Sequence, residues 1–230
     1  MGRTRFVALL IAGTAFLAGA SVALAATIIG TPGNDVLLGT ADDDVIRGLA
    51  GDDTIVGFGG DDRIGGGSGD DTISGDGECP PILVPYYCTP PGGPAGDDKI
   101  TGGSGDDVIN GNGGDDQISG QGGDDEISGN GGNDRLSGGT GGDTLRGGAG
   151  ADKLRGNVGT DDLFGGAGDD RITPGPGNDS VEAGRGDDII LARDNRRDEI
   201  DCGPGFDKVF ADRFDEVAGD CETVRRSGRR

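Results

Sequence analysis

From Gly30 to Leu191 the chain keeps a period of nine residues. The stretch "GNGGDDQISGQGGDDEIS", Gly111 to Ser128, is two such units back to back. Position one is usually Gly, as in Gly48, Gly102, Gly111 and Gly129, and position four is often Gly, as in Gly51, Gly105, Gly132 and Gly168. Position six is Asp in every unit outside one interruption. Position eight is Ile, Leu or Val in the same units, from Leu37 to Ile190. Collagen also spaces its glycines regularly, but at a period of three. A disordered glycine-rich linker does not account for an aliphatic residue at every position eight.

Positions seven to nine alternate outward, inward, outward, as a short strand does, with the aliphatic residue inward. Glycines at one, two and four free the backbone for positive φ and close packing in a turn. One unit then makes one turn and one strand, and two units make a coil. Each coil buries few aliphatic side chains, so the apolar core is thin for the number of residues it must order.

Charge sharpens the problem. The chain has 42 acidic and 20 basic residues, for a net charge of −22. Asp beside Asp, repeated every nine residues, repels itself and opposes a compact state. A cation that neutralises the carboxylates resolves this. The same charge disfavours nucleic acid and anionic membranes as partners.

The pattern G-G-x-G-x-D-x-U-x, with U aliphatic, resembles the calcium-binding nonapeptide repeat of the RTX family of secreted bacterial proteins. The resemblance implies an all-β fold, a parallel β-roll (β-helix) solenoid, with Ca2+ ions between successive turns. It also implies the ligands: position-six carboxylates together with turn carbonyls. Carried over, the carboxylates are Asp35, Asp44, Asp53, Asp62, Asp71, Asp98, Asp107, Asp116, Asp125, Asp134, Asp143, Asp152, Asp161, Asp170, Asp179 and Asp188. Asp44 matches less fully, because Asp42 stands where its unit should have Gly. Position five is often acidic too, as in Asp115 and Asp124, but Asn133, Gly142, Ala151 and Thr160 also occupy it. Its carboxylates read as solvent-facing.

Residues 1–25 read as a signal peptide. Arg3 and Arg5 precede an apolar run, and Ala23-Leu24-Ala25 is a cleavage site, which leaves no membrane span after removal. The expected location is secreted, extracellular. The repeat domain then spans 26–191, with a Pro-rich loop insertion over 78–92 whose apolar residues, such as Leu83 and Tyr86, pack on the roll. Residues 192–230 hold degenerate repeats, a C-terminal cap built from Phe206, Phe210 and Phe214, and a basic tail.

The four cysteines allow three pairings. Loop closure favours the local ones, Cys79–Cys88 and Cys202–Cys221, the second tying the cap. Zinc is disfavoured, since the chain has no His and no C-x-x-C.

Without His there is no Ser-His-Asp, Cys-His or H-E-x-x-H site. The expectation is a non-enzymatic, monomeric calcium-binding structural or interaction protein whose folding is coupled to Ca2+. An adhesin or surface-layer component with a cell-surface or polysaccharide partner is the alternative. A carboxylate-only enzyme acting on polysaccharide ranks last. A regular ladder of side chains at positions seven and nine would favour the adhesin. Read in sequence order, position seven is mixed: Thr54, Arg63, Thr72, Val108, Gln117, Glu126.

Overall fold

The structure is a computed structural model that describes residues 25–76 and 95–226. The described residues contain 21 strands and no helix. Strands odd in chain order form an 11-stranded sheet and even ones a 10-stranded sheet, every strand pairing in parallel with the one two places along. This is the parallel β-roll expected from the repeat. Partners lie one coil apart, as in Arg135↔Lys153 and Leu136↔Leu154. Across the interruption, Arg63 pairs directly with Lys99 and Thr72 with Val108, so the ladder resumes in phase. The 78–92 loop and its Cys79–Cys88 pair lie outside the described residues, as do residues 1–24.

The core is a column of position-eight aliphatics, from Leu37 through Ile118 and Leu136 to Val209, all essentially buried. Each touches its equivalents in the coils above and below, so the column extends without widening.

The strands are longer than the repeat implied. Most full ones have six residues, as in Arg135–Thr140, covering positions seven to nine and then one to three of the next unit. Position one is therefore strand, and its residue points inward beside the position-six carboxylate. In the regular coils glycine leaves room there: a Cβ on Gly111 would stand 2.1 Å from Asp116 Oδ2. Positive φ is confined to positions two and four, as at Asn130 (φ 76) and Gly132 (φ 131).

The C-terminal segment continues the solenoid. Strands Glu199–Asp201, Lys208–Ala211, Glu216–Val217 and Thr223–Arg226 add further rungs. Cys202 and Cys221 form a disulfide (S–S 2.01 Å) that ties the last coils together. The expected aromatic lid is not there. Phe206 is 74% exposed and Phe214 42% exposed. Phe206 falls at turn position five and Phe210 at position nine, both outward in the repeat register. Phe210 lies on the outer face beneath Arg193 and Arg225. The end is closed instead by the disulfide and by Arg226, whose Nη1 donates to the carbonyls of Asp212 and Asp215.

Candidate metal site

Strand alternation sends positions six, eight and one inward together. Asp35 to Asp188, all sixteen position-six residues named above, are each at most 3% exposed. They form two columns, one along each edge of the roll. Within a column, Oδ1 accepts the backbone N–H of the position-six residue one coil earlier. Asp98 N–H donates to Asp116 Oδ1, and Asp116 N–H to Asp134 Oδ1, both at 2.8 Å. The bond survives the interruption, where Asp62 N–H reaches Asp98 Oδ1 at 2.8 Å.

The second oxygen behaves differently. From Asp53 to Asp188, Oδ2 is buried and meets no donor. Such an atom is costly in the absence of a partner. Burial accordingly pushes these carboxyls up, against the lowering effect of the amide bond. Asp53 and Asp134 rise to about 6, Asp62 and Asp116 to about 7, and Asp98 to about 8, with repulsion from neighbouring carboxylates adding to the effect.

From Asp53 to Asp170 each open Oδ2 faces the bare Cα of a position-one glycine, and the position-one carbonyl of the next coil stands beside it. The space a Gly111 Cβ would fill lies 2.1 Å from Asp116 Oδ2 and 3.1 Å from Gly129 O. An orphaned carboxylate oxygen, a carbonyl and a side-chain-free face suit a hard cation with oxygen ligands. Among the described residues no three His, Cys, Asp or Glu side chains converge on one point. Carbonyls must therefore supply much of any coordination shell.

The rungs at the two ends are closed. Thr31 N–H donates to Asp35 Oδ2 at 2.5 Å and Thr31 Oγ1 donates to the same atom at 3.0 Å. Thr40 N–H donates to Asp44 Oδ2 at 2.5 Å. At the far end Asp212 N–H donates to Asp215 Oδ2 at 2.6 Å. Thr31, Thr40 and Asp212 all occupy position two. In interior units the position-two amide turns away to the next coil, as Asn157 N–H does to Pro174 O at 2.9 Å. That orientation accompanies positive φ, which a β-branched threonine resists.

Two open rungs were not foreseen as ligands. Asp198 and Asp207 are fully buried with unpartnered Oδ2 atoms. Their Oδ1 atoms accept from Asp179 N–H at 3.1 Å and Asp188 N–H at 2.8 Å. The signal was present as D-x-U in Asp198-Glu199-Ile200 and Asp207-Lys208-Val209. Their position-one residues, Ala192 and Cys202, carry a Cβ, as do Pro174 and Ala183 in the units of Asp179 and Asp188.

Position five is more than a solvent-facing charge. Asp115 Oδ1 accepts Asn133 N–H at 2.7 Å, one coil later. Asp124 Oδ1 does the same for Gly142 N–H at 2.7 Å. These bonds run along the exposed turn ridge, in the opposite direction to the buried position-six bonds.

A roll with two internal carboxylate columns, open to a hard cation along most of their length, defines a calcium-binding β-solenoid. The model of the RTX calcium-binding nonapeptide repeat matches this chain repeatedly, over residues 26–73 and 93–195, well over half its length. The chain belongs to that family, whose repeats bind Ca2+, and several repeats imply several ions. No curated protein matches the chain.

Proposed function

We propose that this is a secreted structural or interaction protein, without enzymatic activity, whose folding is driven by Ca2+. The proposed ligands are the open position-six carboxylates from Asp53 to Asp188 together with Asp198 and Asp207. Asp35 and Asp44 instead close the first coil without metal. The observation that carries this reading is the run of buried Oδ2 atoms without donors, ending where position-two amides supply one. Bound Ca2+ supplies positive charge that offsets carboxylate repulsion. The chain's own part is to hold each Oδ1 on a backbone amide, aim Oδ2 inward and keep the position-one face bare. Because the unfolded chain lacks this arrangement, binding free energy appears as folding free energy.

Native mass spectrometry of the Ca2+-loaded chain tests the ligand set. Asp116→Asn and the pair Asp198→Asn/Asp207→Asn should each lower the bound-calcium count, and Asp35→Asn/Asp44→Asn should leave it unchanged. An unchanged count for Asp116→Asn would remove the basis of the reading.

A further inference from the structure

Between Val45 and Ile189 the mixed residues at position seven sort by sheet once alternate units are assigned. On the 11-stranded sheet the outward rungs run Arg63, Lys99, Gln117, Arg135, Lys153, Arg171, each paired directly with the next. On the 10-stranded sheet they run Thr54, Thr72, Val108, Glu126, Thr144, Asp162. No strand of the 11-stranded sheet contains Asp or Glu.

Lys153 stands directly between Arg135 and Arg171, and all three are exposed. Like charges opposite one another on a sheet are destabilising. None of the three is in an ion pair among the described residues, where the two pairs are Arg146–Glu126 and Arg197–Glu216, both formed with acids of the other sheet. Solubility does not call for this stripe in a chain of net charge −22.

The turns beside it change in step. Acidic position five on the flanking ridges gives way to Asn133, Gly142, Ala151 and Thr160 over the coils of Arg135 and Lys153, and returns at Asp169 beside Arg171. Arg155, at position nine, adds a further exposed cation there. Elsewhere the ridges keep their carboxylates, as at Asp52, Asp61, Asp106 and Asp115.

We propose that the outer face of the 11-stranded sheet, centred on Arg135, Lys153, Arg155 and Arg171, binds a linear anionic polysaccharide lying along the roll axis. Strand spacing places one cation about every 4.8 Å along that line. Ser119, Ser137 and Thr173 present hydroxyls beside it at position nine. A membrane or a nucleic-acid duplex is broad enough to meet the acidic ridges on either side. Single-stranded nucleic acid is held chiefly by aromatic stacking, and these strands carry no aromatic residue. The face exists only in the assembled roll, so the proposal rests on the calcium-dependent folding proposed above.

The test is titration of the full chain in calcium buffer with heparin, a linear sulfated polysaccharide, and with an oligothymidylate of equal charge. Circular dichroism of the same samples reports the roll. Heparin should bind more tightly than the oligonucleotide. Arg135→Ser/Lys153→Thr/Arg171→Ser should weaken heparin at least tenfold with the strand signal intact, while Arg146→Ser on the opposite sheet leaves it unchanged. A formed roll that ignores heparin, or a triple variant that binds like the parent, overturns this proposal and leaves calcium-coupled folding standing. Tighter oligonucleotide binding overturns the choice of partner. Concentration-dependent self-association lost in the triple variant makes the face a contact between copies and likewise overturns it. Failure to form the roll in calcium removes both readings. Should the triple variant itself lose the roll, salt titration of heparin binding to the parent decides: affinity that does not fall with salt overturns a charged stripe.

Discussion

Asp98 donates its backbone N–H to Oδ1 of Asp116 at 2.8 Å, while Oδ2 of Asp116 has no donor within reach. One carboxylate is thus half fixed by the fold and half open. The fixed half sets where the charge sits, and the open half makes the fold depend on something that can meet it.

Protons and calcium compete for that open half. The folded-state values of Asp98, at about 8, and Asp116, at about 7, lie above the ordinary 3.8. A raised carboxyl binds protons in the folded state that the unfolded chain has released, so metal-free stability grows as pH falls from about 8 towards 4. Acidifying the calcium-free chain should therefore increase strand signal. In calcium the sign reverses, because the ion needs the ionised form, and the calcium midpoint should rise several-fold between pH 7.5 and pH 5.5. Calcium titrations followed by circular dichroism at the two pH values check both slopes.

Adjacent carboxylates should separate by role. Asp116→Ala removes an inward oxygen and leaves Asp98 N–H unpartnered and buried, so the calcium midpoint of folding should rise several-fold. Asp115→Ala removes an exposed bond to Asn133 N–H together with a repelling charge, and should shift the midpoint little. Equal shifts under matched salt would mean that position five holds the ion as strongly as position six.

In the regular coils glycine at position one should tolerate substitution less well than glycine at position three. A Cβ on Gly111 meets Asp116 Oδ2 at 2.1 Å, whereas one on Gly131 meets nothing nearer than Asn112 O at 3.7 Å. Gly111→Ala should raise the calcium midpoint and lower the melting temperature of the loaded roll. Gly131→Ala should be neutral or slightly stabilising. Thermal melts of the two variants in calcium decide this.

The Cys202–Cys221 bridge closes a separation of 19 residues at the end of the solenoid. A loop of that size is worth about 3 kcal/mol in the chain-entropy account. Cys202→Ser/Cys221→Ser should therefore melt several degrees lower in calcium. Peptide mapping of secreted protein should find this pair and Cys79–Cys88, with no cross-linked alternative.

The roll was legible in the sequence because the nonapeptide pattern resembles a known repeat family and because position eight is aliphatic in every regular unit, from Leu37 to Ile190, which the roll buries as a column. Asp116 was legible as a ligand through the resemblance, and Asp115 as solvent-facing because Asn133, Gly142, Ala151 and Thr160 take its place in other units. The extent of each strand was not, because glycine at position one reads equally as turn or as crowded strand. The closure of Asp35 and Asp44 was hidden in threonines at position two, whose meaning depends on which way one amide points. The cationic stripe was hidden by interleaving: Arg135 and Lys153 are 18 residues apart in sequence and adjacent in space. The aromatic lid failed because Phe206 kept the repeat's outward register.

Far-UV circular dichroism of the chain, first in chelator and then through a calcium titration at neutral pH, tests calcium-driven folding most directly. The open carboxylate columns predict a largely unfolded spectrum in chelator and a cooperative gain of strand signal as calcium rises to millimolar levels. Full strand signal in chelator, with a melting temperature that calcium does not move, would contradict it.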